Sequence, residues 1–354
     1  MSSAGDPGAP RAAIAVVTHD DGDDLGECLA SVAALDTRPL ALAVVDCGST
    51  DDSVERARAF AAEAPEGIDV QVLPLGENRG FAGGMNAAFA ALDAAPWVLT
   101  LNPDARPAPD FLERLLDAAE TAESASGFRV GAVTGRLVRP AEEGSGEPRR
   151  LDACGMYLTT AWRHFDRASG EIDRGQLSRT ERVFGGTGAA TLFRREALRD
   201  VALDADGREI FDEHFHTFRE DAELAFRLRE RGWEVLYEPT ALCEHRRFNL
   251  PERRSAMPAM VNYHSLKNRY LLRAYHQTWG NAIKTAPRTL GRDLAALAYV
   301  LLREHSSLPA YRWLWRHRRE ILERRRQIQQ RRTMPTRDID RWFKIKGLPV
   351  RPED

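Results

Sequence analysis

Asp104 stands just past an apolar run, Trp97-Val98-Leu99-Thr100-Leu101, and behind the break Asn102-Pro103, where proline removes a backbone donor and ends regular pairing. A short buried strand thus delivers a carboxylate to its C-terminal end. In open α/β sheets this is the edge where ligands bind, and an acid there can meet a metal ion or a phosphate-bearing substrate; a plain loop acid beside a turn proline has the same local pattern. Asp46 holds the same relation to the apolar residues 40–45, and two acids at two strand ends point to one cleft. Glu220 and Asp221 stand in the first turn of a helix, a place the helix dipole favours for acids with or without chemistry. His245 follows the apolar Ala241-Leu242-Cys243, where a single histidine is commonly structural. Residues 77–86, ENRGFAGGMN, put glycines at a helix start, where the backbone can approach closely and main-chain amides can face an anion. Their spacing is not that of a GxGxxG turn.

The elements that must position these groups alternate. Residues 12–17 (AAIAVV) read as a buried parallel strand, followed by the polar Thr18-His19-Asp20-Asp21. Leu25, Leu29, Val32 and Leu35 recur at helical spacing, and Pro39 separates that helix from the strand at 40–45, which makes a βαβ unit. Residues 47–52 (CGSTDD) form a turn and helix start capped by Ser49 or Thr50, which accounts for Asp51 and Asp52 but not for Asp46. A strand at 69–73 leads into the glycine-rich turn and a helix of small residues at 87–91. Beyond the strand at 97–101 come a surface helix at 110–122, a strand at 130–134 and a polar loop at 140–150. In the second half, Phe184-Gly185-Gly186-Thr187-Gly188 bends into an apolar strand and a short helix starts at 195. Residues 211–233 end in a helix with Leu224, Ala225 and Leu228 on one face and Gly232 at its stop, before a strand at 235–237.

Composition sets the outer limits. The 354 residues, 43% hydrophobic, suffice for one large α/β domain and an appendage. A formal net charge of -3 gives no case for nucleic acid as a partner, although the C-terminal part is basic. The four cysteines lie far apart without a CxxC pair, which argues against a zinc module and fits a reducing cytosol. The first residues lack the apolar core of a signal peptide, and no run approaches the ~18 apolar residues that span a bilayer, so a cytoplasmic protein is expected.

Taken in order, VVTHDDGDDLGECLASV, VVDCGSTDDSVE, NRGFAGGMNAAF, LNPDA, the glycine stretch before LFRREAL, and FREDAELAFRLRERGW resemble the successive motifs of family 2 glycosyltransferases over residues 12–245, most nearly those of bacterial rhamnosyltransferase-like enzymes. The resemblance implies an α/β chain of GT-A fold, a Rossmann-like αβα sandwich with a mostly parallel sheet over residues 12–250. It leaves 251–354 as a helical, basic C-terminal extension. It also implies inverting, metal-dependent transfer of a sugar from a dTDP-, UDP- or GDP-linked donor to a hydroxyl of a glycan or lipid-linked glycan, in cell-surface polysaccharide synthesis. Carried over residue by residue, Asp46 contacts the nucleobase, and Asp104 binds Mg²⁺ or Mn²⁺ and the sugar diphosphate as the last acid of a DxD-like motif. Asp221 is the base, with Glu220 as its competitor. Thr18 lies beside the nucleotide, Asn78, Gly80, Gly84 and Asn86 line the donor pocket, and His245 is a candidate metal ligand. Two departures stand out: His19 replaces an aromatic carried by many relatives, and Asn102 replaces the first acid of DxD.

The chemistry asks for the same groups. A divalent ion neutralises charge on a departing diphosphate, and a carboxylate at a fixed helix start can take the proton of an acceptor hydroxyl from the opposite side of the anomeric carbon. Inverting displacement needs no enzyme nucleophile, in keeping with the lack of a recognisable Ser-His-Asp or reactive-cysteine pattern. A catalytically silent sugar-nucleotide or glycan-binding scaffold of the same fold is the alternative, and Asn102 is the feature that favours it. Past His245, residues 260–275 read as a helix. Leu290, Leu294, Leu297 and Leu301 form a helical stripe, and residues 318–332 are arginine-rich. Packing onto the body is the ordinary meaning of such a stripe. Aromatics among arginines also suit an anionic membrane surface, which would make the chain peripheral on the inner face of the cell membrane; oligomerisation stays open.

Overall fold

The computed structural model describes residues 10–140, 148–247 and 258–351. Most of the polar loop expected at 140–150, the polar stretch at 246–258 and the first nine residues lie outside them. The first half alternates as expected: β1 (Ala12–Thr18), α1 (Gly22–Ala33), β2 (Leu40–Asp46), α2 (Ser53–Ala62), β3 (Ile68–Pro74), α3 (Gly80–Ala91), β4 (Trp97–Leu101), β5 (Ala105–Pro107), α4 (Phe111–Ser126) and β6 (Val130–Val138). Short strands follow, β7 (Leu151–Ala153), β8 (Met156–Thr159), β9 (Arg163–Asp166), β10 (Glu181–Val183) and β11 (Ala190–Arg194), then α5 (Arg195–Val201), α6 (Glu220–Glu230) and β12 (Glu234–His245). The remainder is helical, α7 (Ala259–His276), α8 (Trp279–Leu302), α9 (Leu308–Arg316), α10 (Arg318–Arg331) and α11 (Thr336–Asp340), and ends in β13 (Leu348–Pro349).

The main sheet runs β13-β10-β12-β6-β11-β4-β1-β2-β3, with β5 on β12 and β7 on β6. β1 pairs in parallel with β2 on one side and β4 on the other, so the chain reverses direction across the sheet at the C-terminal ends of β1 and β4. Such a switch point opens a crevice. β11 enters antiparallel between β4 and β6.

Side chains of β1 alternate between two cores. Ile14 and Val16 join Leu25, Leu29 and Leu115 on the face covered by α1 and α4, whereas Ala13 and Ala15 join Met85, Phe89 and Leu224 on the face covered by α3 and α6. The alanines let α3 come close. A Cβ on Gly84 would stand 2.6 Å from Val17 Cγ1 and 3.0 Å from Cys47 Sγ. Two expectations change here. The glycine-rich turn is itself the first turns of α3 rather than a loop before it. The turn after β2 is closed by Asp51, which accepts from Ser53 N at 3.0 Å and Gly22 N at 2.9 Å, while Ser49 Oγ accepts from Asp20 N at 2.9 Å instead of capping α2. All four cysteines are free and buried.

The helical extension shares a core with the sheet domain. Phe184, Phe215 and Phe226 pack with Leu271, Tyr275, Ile328 and Trp342, and β13 adds an antiparallel edge to β10. α8 is turned against expectation. Asn281, Thr285 and Thr289 are its buried residues with Val300, while Trp279 is 84% exposed, Ile283 76% and Leu294 68%, with Leu290, Leu297 and Leu301 also exposed. The leucine stripe therefore does not pack onto the body of the described chain.

Candidate active site

An open cleft of about 680 Å³ lies at the switch point, a size that suits a small organic ligand. Thr18, Asn102, Asp104, Glu220, Asp221 and His245 line it. Sequence separation between them is large, and sheet register closes it. The β5–β12 ladder sets His245 opposite Ala105, so the imidazole reaches Asp104, with Nε2 3.2 Å from Oδ1. Its other nitrogen, Nδ1, lies 2.7 Å from Asp152 Oδ2 on β7. Asp152 in turn faces Arg247 Nε at 3.1 Å, and Arg247 pairs with Asp166. Burial disfavours charge on His245, but the hydrogen bonds to Asp104 and Asp152 outweigh it and lift the imidazole to about 9. Burial also pushes Asp104 upward, yet the hydrogen bond and charge of His245 leave it below its ordinary value.

This pair fits a divalent ion. A carboxylate and an imidazole face each other, and the imidazole's second nitrogen is held by a carboxylate, the usual support for a metal-ligating histidine. Among the described residues no group of three or more His, Cys, Asp or Glu gathers as a metal site.

The acid pair of α6 sits across the same cleft. His216, Phe218 and Arg219 all adopt positive φ, at 61°, 67° and 73°, in the bend that aims the helix start. Asn268 of α7 holds that bend, donating its side-chain amide to the carbonyls of Phe215, Thr217 and Phe218 at 2.9, 2.7 and 2.7 Å. Asp221 accepts from Gly188 N at 3.1 Å and from Ala222 N at 2.7 Å. Burial, with the charge of Asp166 behind it, raises Asp221 to about 6. Burial and the charge of Asp221 raise Glu220 well above its ordinary range, and Glu220 Oε2 is buried without a hydrogen-bond partner among the described residues.

The other expected residues adjoin the cleft without being part of its lining. Asp46 ends β2 beside Thr18 in register, its carboxylate accepting from Gly48 N at 3.1 Å and Ser49 N at 3.3 Å. Asn78 is exposed and accepts from Gly80 N at 2.9 Å. Gly80 needs its positive φ of 65°, and a Cβ there would stand 2.4 Å from His216 O. Asn86 accepts from Phe211 N at 2.9 Å and donates to Phe211 O at 2.9 Å, tying α3 to the segment that leads to α6. Sequence reading missed Asp152, Asp166, Arg247 and Asn268. Their partners lie far off in the chain, and no local pattern marks them.

The fold agrees with what the chain is similar to. The glycosyl transferase family 2 model matches residues 13–202. An N-acetylglucosaminyl-diphospho-decaprenol L-rhamnosyltransferase of Mycobacterium tuberculosis (strain CDC 1551 / Oshkosh) is 29% identical over 317 residues, 82% of this chain and 92% of that protein; the protein of the same name from strain ATCC 25618 / H37Rv matches equally. Among solved structures, GalNAc-T7 with UDP, GalNAc and Mn²⁺ aligns with a TM-score of 0.53 at 11% identity, over 76% of this chain and 48% of that one. S. aureus TarS aligns with a TM-score of 0.51 at 14% identity, over 85% and 47%. The chain spans about half the length of those two structures, and the likeness is one of fold, GT-A. With the family model covering more than half of its length, the chain belongs to glycosyl transferase family 2 and is a rhamnosyltransferase-like glycosyltransferase.

Proposed function

We propose that the protein transfers a sugar, with inversion and with a divalent metal, from a nucleotide-diphosphate donor to a hydroxyl of a lipid-linked glycan in cell-envelope synthesis. The observation that carries this is the division of labour between the two acids of α6. Asp221 is ionised at neutral pH, since its value is about 6 and two main-chain N–H groups stabilise the carboxylate. Burial and the charge of Asp221 push the Glu220 carboxyl well above its ordinary range, and its Oε2 has no hydrogen-bond partner among the described residues. The main-chain N–H groups support the charged form of Asp221 alone, which favours Asp221 as the base.

On this reading Thr18, Asp46, Asn78, Gly80, Gly84, Asn86, Asn102 and Asp104 form the donor pocket, with Asp46 toward the nucleobase. Asp104 and His245 would hold Mg²⁺ or Mn²⁺, which when bound neutralises charge on the leaving diphosphate. Asp152 fixes the imidazole. Asp221 takes the acceptor proton from the other side of the anomeric carbon. The acceptor in the relatives' name, a diphospho-decaprenol, supports a lipid-linked one here. No helix among the described residues is long and apolar enough to cross a membrane, so contact with the lipid would be peripheral. The outward stripe of α8 supports that, because exposed Lys284, Arg288 and Arg303 border it and favour an anionic surface. We divide the chain into a donor-binding body, residues 12–250, and a helical extension, 251–354, that carries the membrane face.

A thermal-shift panel of UDP-, GDP- and dTDP-sugars with and without Mn²⁺ tests the donor, since a ligand at 100 times its Kd adds about 2.7 kcal/mol. Transfer from the donor so identified to an N-acetylglucosaminyl-diphospho-lipid, with the anomeric configuration read by NMR, tests the reaction. A silent scaffold, the reading favoured by the uncharged Asn102 at the metal side of the cleft, would bind donor and never turn it over.

A further inference from the structure

The two halves of the site meet at an arginine to which the transfer chemistry above gives no task. β12 ends at His245, Arg246 N donates to Asp104 O at 3.0 Å, and the chain then turns at Arg247 with a φ of 44°, a conformation that residues with a Cβ seldom adopt. Such a conformation persists where the surroundings over-determine it. Here two carboxylates do. The Arg247 side chain is 15% exposed and borders the cleft, with Nε 3.1 Å from Asp152 Oδ1 and Nη2 paired with Asp166. Burial disfavours charge on the guanidinium, but the carboxylates of Asp166, Asp152 and Asp221 hold it charged.

Each of the two paired carboxylates reaches further. Asp152 turns its other oxygen to His245 Nδ1 at 2.7 Å, and through the imidazole it reaches Asp104. Asp166 is the charge that, after burial, most opposes ionisation of Asp221. Other charges around Asp221 include Glu220 and Arg219 on its own segment. Asp152 has a second cation in Arg139, but that Nε stands farther off, 3.8 Å from the same oxygen. A buried carboxylate that loses its cation is left uncompensated, so without the guanidinium Asp152 could turn away from His245 and Asp166 would stand unneutralised beside Asp221. We propose that Arg247 is a positioning residue shared by the two halves of the reaction, fixing the imidazole through Asp152 on the leaving-group side and neutralising Asp166 on the side of the base. This rests on the transferase reading for the two sides and adds the residue that joins them.

Two readouts that need no turnover test it on the full chain. Mn²⁺ affinity is measured by isothermal titration, alone and with UDP, GDP or dTDP, and protonation of Asp221 is followed by ¹³C NMR of carboxyl-labelled aspartate, its signal being the one lost in Asp221→Asn. Arg247→Gln should weaken Mn²⁺ binding about tenfold and raise the proton affinity of Asp221 about tenfold. Arg247→Lys, which keeps the charge without the planar fork, should hold Asp221 near its wild-type proton affinity and still lose Mn²⁺ affinity several-fold. In an Asp152→Asn background Arg247→Gln should cost no further Mn²⁺ affinity, because its path to the imidazole is already cut, and additive losses overturn that path. A folded Arg247→Gln chain that moves one readout and not the other overturns the shared role. So do two unchanged readouts with a lowered Tm, the mark of an arginine that only holds the fold. Where Arg247→Gln does not fold, wild-type Mn²⁺ affinity in Arg247→Lys overturns the proposal. Failure of the transferase reading shows separately, as a wild-type chain that binds Mn²⁺ and a nucleotide and transfers no sugar.

Discussion

Asn268 of the C-terminal extension donates its side-chain amide to the main-chain carbonyl of Phe218 at 2.7 Å, two residues before the acid pair. The same amide reaches Phe215 and Thr217, and Asn268 is fully buried. A helix outside the region matched by the family model thus holds the bend that aims Asp221. Asn268→Leu should leave buried carbonyls unsatisfied at about 1–3 kcal/mol each and let the bend relax, and a displacement of about 1 Å can cost on the order of 10²-fold in rate. The expected result is a lowered Tm and a kcat reduced far more than donor affinity. Unchanged kcat in a folded variant would separate α7 from catalysis.

Removing the base should be distinguishable from removing its neighbour. Asp221→Asn should cost on the order of 10²–10⁴ in turnover, with donor affinity nearly unchanged, and Glu220→Gln should cost less. The reverse ranking in a product-formation assay would exchange the two roles.

The acid pair also sets a pH dependence. With the Asp221 carboxyl at about 6, kcat/KM should fall below that pH as the base is protonated. Asp166→Asn removes a charge that raises Asp221, so the acid limb should move to lower pH. Stability has its own sign. Between the ordinary 3.8 and about 6 the folded chain keeps a proton on Asp221 that the unfolded chain has released, so this group's contribution falls as pH rises through that window. Glu220 acts in the same direction, and Glu220→Gln should raise Tm at pH 7 relative to wild type. A Tm that drops instead would mean that the buried acid is stabilised in its charged form.

Asp104→Ala should abolish Mn²⁺-stimulated donor binding in a folded protein, and His245→Ala should weaken it by a smaller margin. Asp152→Asn, which touches no donor in this scheme, should still weaken metal affinity about 10–100-fold because it orients His245. Metal titrations of donor binding check all three, and an Asp152→Asn curve superposing on wild type would remove the Asp152–His245 contact from the metal site.

Leu290→Glu with Leu294→Glu alters two exposed positions and should leave the folding stability within about 0.5 kcal/mol of wild type for each substitution, the range of surface changes, with Tm nearly unchanged. Binding to anionic liposomes should be lost in this variant. In the wild-type chain it should weaken with salt, because each basic residue near the surface contributes roughly 1 kcal/mol that is screened over about 8 Å at physiological ionic strength. Co-sedimentation decides it: a full-length chain that ignores anionic vesicles at low salt would make the stripe of α8 a surface for another protein.

How much was legible in the chain itself follows from the range of the interactions involved. Residues 12–17, 40–45 and 97–101 read as buried strands because burial on both faces needs unbroken apolar runs, and Asp46 and Asp104 read as strand-end acids because they adjoin those runs. These are local facts, decided by neighbours in sequence. The Asp104–His245 contact, by contrast, exists because β5 and β12 pair, and Asp152 meets His245 across 93 positions. No periodicity encodes such a meeting. The grip of Asn268 on the bend before α6 is of the same kind. α8 marks the boundary most sharply: its spacing determined that Trp279, Ile283, Leu290, Leu294, Leu297 and Leu301 share one face, but only the packing of Thr285, Thr289 and Arg292 toward the body decided that this face turns outward. Helical periodicity defines a stripe relative to the helix axis, and the direction it faces depends on which neighbours the rest of the chain brings to it.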